Sequence, residues 1–229
     1  GAEVPPSVAD QPRSDVDSGH RRAVACRSCG AMVHETVVDL GLSPLCNNRV
    51  LPEQVNQPET FYPLEALVCQ QCWLVQVHAH VPGEEIFQDY AYFSSYSDSW
   101  LQHCKRYVDQ ITTRLGLDDT SQVVEIASND GYLLQYFVEK QIPALGIEPA
   151  ANVAAAAREK GITCVTEFFG TRLAQKLLEQ GTRPDLLLGN NVLAHVPNLN
   201  DFVAGMKIVL ADQGTITMEF PHLVRLIEE

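Results

Sequence analysis

From residue 121 onward, short apolar runs alternate with stretches whose apolar positions recur every three or four residues. The runs are "VVEIAS", "ALGIEP", "TCVTEFF", "DLLLGNNVLAHV" and "GTITMEF". Their length and near-continuous apolarity predict strands covered on both faces. Helical spacing fills the intervals: about Tyr132 to Lys140, "ANVAAAAREKG", "TRLAQKLLEQG" and "LNDFVAGMKIVLA". A strand-helix alternation of this kind predicts a parallel sheet with helices on both sides. Upstream, Trp100, Leu101, Cys104, Tyr107, Val108, Ile111 and Leu115 mark one amphipathic helix, which Ser97 or Asp98 can cap and Gly116 can end. Earlier still the pattern shortens to strand and turn material, "TVVDLGLSPL", "FYPLEALV" and "WLVQVHAHV". Residues 1 to 22 are polar, proline-containing and aperiodic, which predicts a disordered leader.

Composition narrows the partners. The chain has 229 residues, 45% of them hydrophobic, and a formal net charge of −13. It can bury a core, and its negative surface disfavours nucleic acid and anionic membrane as partners. No apolar run reaches the ~20 residues of a membrane span, and no signal-peptide pattern opens the chain. Seven cysteines are an odd count. A cytoplasmic protein with free thiols is therefore expected rather than a disulfide framework.

Four of those cysteines form two Cys-x-x-Cys knuckles, "CRSCG" (Cys26, Cys29) and "CQQC" (Cys69, Cys72). Two such turns supply four thiolates to one tetrahedral centre, which suits a structural Zn²⁺. Redox pairs or unpaired buried thiols are the alternatives. Cys46, Cys104 and Cys164 have no partner spacing and read as small apolar fillers. The expected organisation is a leader at 1–22, a zinc-ribbon-like domain at 23–88, a loop and linking helix at 89–118, and an α/β domain at 119–229.

Ligands of open parallel sheets sit beyond the carboxyl ends of the strands. Those ends carry Glu125, Ala127, Asn129, Asp130, Gly131, Glu148, Phe168, Asn190, Asn191, His195, Glu219 and His222. A dinucleotide pyrophosphate needs bare glycine backbone, and "EIASNDG" puts Ala127 and Asn129 where the first two glycines belong. S-adenosylmethionine (SAM) has no phosphate and carries an ammonium, a sulfonium and a ribose diol, so acids and amides suit it. Glu125 or Asp130 can meet its cationic end, Glu148 its ribose hydroxyls, and Phe168 its adenine. Each has a plainer alternative: a cap for Glu125, a solvated acid for Glu148, turn-formers for Asn190 and Asn191, a strand-end residue for His195, and a simple turn for "FPH". The cluster Tyr90, Tyr92, Ser94 to Ser97 and Ser99 is a hydroxyl-rich loop suited to a sugar or phosphate, or else a polar turn before the helix.

Taken together, "CRSCG", "CQQC", "YAYFSSYSDSW", "EIASNDGYLL", "GIEPAANVA", "NNVLAHVPNLNDFV" and "EFPHLVRLIE" resemble the zinc-containing, SAM-dependent C-methyltransferases of deoxysugar biosynthesis. The resemblance covers about residues 23 to 229. It implies a Rossmann-like methyltransferase core and methylation at C3 of a nucleotide-linked 4-keto-hexose, with a dTDP-linked sugar as the expected partner. A base removes the C3 proton and the resulting enolate attacks the SAM methyl group. It further implies that Tyr90 and His195 face the reacting sugar, that Tyr92, Ser95 and Ser97 contact the nucleotide-sugar, and that Glu219 and His222 lie near it. Members of this family are longer and continue into a Tyr-His-Glu-His segment that would begin beyond Glu229, so an N-terminal fragment of low turnover is expected. A methyltransferase for a non-sugar acceptor and a non-catalytic zinc-ribbon adaptor are the rival functions.

Overall fold

The computed structural model describes residues 24–46, 49–78, 81–87 and 90–228, and the leader expected at 1–22 lies outside them. All four residues of β6 (Val123–Ile126) are buried, which for a strand requires helices on both of its sides. Its neighbours are β7 (Ala144–Ile147) and β9 (Leu186–Asn190), with β8 (Thr163–Val165) and β10 (Thr215–Glu219) outside them. The order β10-β9-β6-β7-β8 is parallel throughout. From β6 the chain moves outward to β8, returns to β9, then moves outward the other way to β10. Strand order therefore reverses between β6 and β9, and a crevice opens at their carboxyl ends.

Alternation along β6 decides which helix each residue meets. Val123 packs with Cys104, Val108 and Ile111 of α2 (Asp98–Leu115), Leu134 and Phe137 of α3 (Leu134–Glu139), and Ala157 of α4 (Ala151–Glu159). Val124 and Ile126 pack on the opposite face. There they meet Leu173, Ala174 and Leu177 of α5 (Thr171–Glu179), and Phe202, Met206 and Val209 of α6 (Leu199–Val209). Each fully buried leucine or phenylalanine of these clusters contributes roughly 1.5–3 kcal/mol. The ends of α2 follow the expected signals. Ser97 accepts a hydrogen bond from the Trp100 amide at 3.3 Å, and Gly116 closes the helix at φ 65°.

The amino-terminal unit is smaller. β1 (Val24–Ala25) and β2 (Met32–Val33) pair antiparallel around the first knuckle. β3 (Glu35–Pro44), β4 (Phe61–Val68) and β5 (Val75–Val77) form an antiparallel meander with the second knuckle between its last two strands. Its buried cluster is thin: Cys26, Val33, Leu67 and Cys69. A short helix, α1 (Gly83–Ile86), follows, and α7 (Leu223–Glu228) comes after β10. The two units touch where Asn200 of α6 donates its side-chain amide to the Ser28 carbonyl at 2.9 Å. Among the described residues, no helix is long and apolar enough to cross a membrane.

The turn leaving β6 is tightly packed. Gly131 stands at φ 74°, and a Cβ there would be driven into the Ile162 Cδ1 atom with Ala157 Cβ only 3.3 Å away. Gly131→Ala combines a left-handed backbone penalty with overpacking and should cost roughly 3 kcal/mol. Chemical denaturation should show this as a lower midpoint with an unchanged slope; a midpoint equal to the parent's would contradict the packing described.

Candidate functional site

Three residues of the β6–α3 turn, Ala127 (φ 59°), Asn129 (φ 48°) and Gly131 (φ 74°), alternate in the left-handed region. A glycine-rich turn has this shape, here taken by alanine and asparagine. Asparagine tolerates the conformation, whereas alanine bears a cost of about 1–2 kcal/mol. Asn191, after β9, is left-handed too (φ 53°). Strained positions thus gather at the carboxyl ends of the two central strands, as they do at binding sites.

Above these ends lies a cavity of about 910 Å³, at the upper end of the ~300–1,000 Å³ usual for ligand sites. Of the residues singled out from sequence, Ala127, Asn129, Glu148, Phe168, Asn190, Asn191, Tyr90, Tyr92, Ser97 and His195 line it. Among the described residues its acidic side chains are Glu84, Glu148 and Asp201, with no lysine or arginine, and the part of the wall around Glu148 suits a neutral or cationic group. Glu148 is anchored at the end of β7. Its two carboxylate oxygens accept the backbone amides of Asn129 and Ala150, each at 2.9 Å. Burial raises its pKa, and these two amides lower it in part. A carboxylate offers about four acceptor positions, so others remain for a ligand diol. Burial, with Glu148 nearby, also raises the Tyr90 phenol.

Other sequence candidates sit elsewhere. Glu125 alternates to the α2 face of the sheet, is fully buried, and does not line the cavity. Neither of its oxygens has a hydrogen-bond partner in good geometry. Burial pushes its pKa well up, the Tyr132 hydroxyl offsets only part of this, and Glu148 and Asp130 add to the rise. Asp130 points instead to Lys160, 3.2 Å away, whose ammonium also donates to Ser95 Oγ at 2.6 Å. Gly131 shapes the turn but does not line the cavity. Glu219 meets His103 at 3.0 Å, and His103 lies on the cavity wall stacked against Trp100 at 5.0 Å. His222 accepts from the Arg225 amide at 3.4 Å and so caps α7. Sequence reasoning passed over His103, whose partner is 116 residues away, and Asn152, which bonds the Tyr90 backbone. Cys46, expected as an apolar filler, is exposed and lies on the cavity wall.

The four knuckle cysteines converge. The sulfurs of Cys26, Cys29, Cys69 and Cys72 all lie within 4.8 Å of one another, with Cys26–Cys72 at 3.5 Å and Cys29–Cys69 at 3.6 Å. Tetrahedral zinc with ~2.3 Å bonds sets its sulfurs about 3.8 Å apart, so this cluster fits a structural zinc with no open position. The two knuckles repeat one backbone design. The Gly30 amide donates to the Cys26 carbonyl at 3.0 Å and the Trp73 amide to the Cys69 carbonyl at 2.8 Å. The donor residue is left-handed in both, at φ 76° for Gly30 and 63° for Trp73. Burial alone would raise the Cys26 thiol, but the Cys29 and Ser28 amides and the facing sulfurs outweigh it and hold it at about 6. Cys29 receives the Ala31 amide, yet burial and the other three sulfurs push it up to about 12. Packed thiolates of this kind need a cation to ionise together.

Comparison with known proteins places these features among relatives. A family described as a zinc binding domain matches residues 26–87, and a family described as "Methyltransferase domain" matches residues 99–226. C-methyltransferase NovU of Streptomyces niveus is 31% identical over 203 residues, which is 89% of this chain and 48% of that protein. The chain thus spans about half the length of the curated relative it matches. Among solved structures, DesVI of Streptomyces venezuelae is similar at TM-score 0.44 and 15% identity, covering 54% of this chain and 52% of its own. A SAM-dependent methyltransferase from Archaeoglobus fulgidus gives TM-score 0.44 and 15% identity over 64% of this chain and 63% of its own.

Two outcomes are expected. Elemental analysis should find about one zinc per chain, and Cys69→Ser should lose both the metal and the ordered structure of the amino-terminal unit, worth up to ~10–16 kcal/mol of binding free energy; full metal content in that variant would refute the four-sulfur site. For Glu125, a folded pKa above the ordinary 4.5 means that the folded chain holds the proton more tightly than the unfolded one. Its ionisation therefore erodes stability as pH rises from about 4.5 through the folded value. Glu125→Gln, which keeps the shape and cannot ionise, should gain on the parent progressively in thermal melts as the pH is raised above the ordinary 4.5. Parallel curves would show that Glu125 binds its proton equally well in the folded and the unfolded chain.

Proposed function

This chain belongs to the methyltransferase-domain family, and we propose that it binds SAM in the cavity and methylates a carbon of a nucleotide-linked 4-keto-hexose at C3. The observation that carries the cofactor assignment is Glu148. Its carboxylate is held by two backbone amides at the end of β7, facing a cavity whose wall bears acids and amides. It accepts the two ribose hydroxyls, while Phe168, 42% exposed on the same wall, lies against adenine. Asn190, the last residue of β9, and Asn191 after it flank the reacting end. Bound there, the sulfonium supplies an electrophilic methyl group.

The remaining wall belongs to the acceptor. Tyr90, Tyr92 and Ser97 of the tyrosine-serine loop and His195 of the turn after β9 face the cavity, and we assign them to the nucleotide-sugar. A ketone at C4 acidifies the C3 proton, so the protein's task is to position the sugar and stabilise its enolate oxygen with donors. Tyr90 and His195 supply such donors, and the raised Tyr90 phenol keeps its proton for that purpose. His103, paired with Glu219, adds a further polar group to the same wall. The resemblance to deoxysugar C-methyltransferases and the 31% identity to C-methyltransferase NovU support this choice of acceptor. Free thiols outside the knuckles are consistent with work in the cytoplasm.

Titration calorimetry with SAM tests the cofactor assignment. Glu148→Ala should weaken binding at least about tenfold, the value of losing hydrogen bonds to a charged group; unchanged affinity would remove Glu148 from the ribose site.

A further inference from the structure

Building on that reading of the cavity, we infer that Asn152, working with Asn129, is a positioning residue that hangs the tyrosine-serine loop over the acceptor end of the site. Residues 90–93 belong to no helix or strand, so their backbone groups have no ladder to join. Side-chain amides take its place. Asn152 accepts from the Tyr90 amide through Oδ1 at 3.2 Å and donates from Nδ2 to the Tyr90 carbonyl at 2.8 Å. Asn129 repeats the arrangement, accepting from the Ser94 amide at 2.9 Å and donating to the Tyr92 carbonyl at 3.1 Å. Only a carboxamide presents a donor and an acceptor side by side, as a neighbouring strand would.

The anchorage lies beside the ribose carboxylate. The Asn129 amide bonds one oxygen of Glu148, and the Ala150 amide, two residues before Asn152, bonds the other. One short assembly therefore holds the proposed cofactor acid on one side and the acceptor loop on the other. A third tether, Lys160 between Asp130 and Ser95, secures the far end of the loop. Asn129 spends both ends of its amide on the loop, which assigns it to acceptor placement rather than to cofactor contact.

Asn152 suits a test because it lies in the first turn of α4 and is only partly buried. Alanine is a good helix former there, so the fold is retained. In the zinc-loaded protein without ligands, Asn152→Ala should speed amide exchange across residues 90–95 about tenfold, with β6 and the rest of α4 unchanged. Asn152→Asp, which keeps the acceptor and loses the donor, should fall between that variant and the parent. With a nucleotide-linked 4-keto-hexose as acceptor, KM should rise about tenfold while SAM affinity stays within about twofold. Unchanged exchange at 90–95, or acceleration spread evenly over α4, would overturn the assignment. Faster loop exchange in a protein whose parent shows no methyl transfer to that sugar would uphold the tether and refute the acceptor.

Discussion

Two backbone amides converging on one carboxylate organise the larger unit. The amides of Asn129 and Ala150 both reach Glu148, and to do so the chain leaving β6 must bend through left-handed backbone at Ala127, Asn129 and Gly131. That bend seats the turn on β7, where the amides of Ala127 and Ser128 reach the Ile147 carbonyl at 2.8 and 3.2 Å. A buried carboxylate without such donors would take up a proton and lose its value as an acceptor. The strained turn, the acid and the loop tethers therefore stand or fall together.

Elements whose cause is local were legible in the sequence. Five apolar runs became five parallel strands, and Ser97 and Gly116 ended α2 where their chemistry requires. The cysteine spacing placed four sulfurs together because each knuckle is closed within a few residues. Features whose cause is distant were not legible. Glu125 sits in a strand buried on both faces, so no polar alternation shows which face it takes. The pairing of His103 with Glu219 depends on α2 lying across the edge of β10, which Tyr107 also touches through Thr217 at 2.5 Å. Asn152 looks like any polar residue at a helix start until the loop at 90–95 is placed above it.

The two units divide the sources of stability differently. The sheet is covered by apolar clusters on both faces, whereas among the described residues the knuckle unit has four buried apolar residues, two of them cysteines. A metal ion thus does for the second what packing does for the first. The hydrogen bond from Asn200 to Ser28 joins the knuckle unit to the start of α6, where Asp201 accepts from the Thr171 hydroxyl at 2.5 Å and lines the cavity.

The knuckles also differ in one respect that has a practical use. Where the first has Gly30, the second forces Trp73 into the same left-handed corner, with its indole 74% exposed. The chain has only two tryptophans, and the other, Trp100, is on α2. The left-handed backbone at Trp73 belongs to the closed knuckle, so the residue reports on that turn. An indole fixed beside the four sulfurs makes intrinsic ultraviolet emission a dye-free signal with which to watch the knuckle.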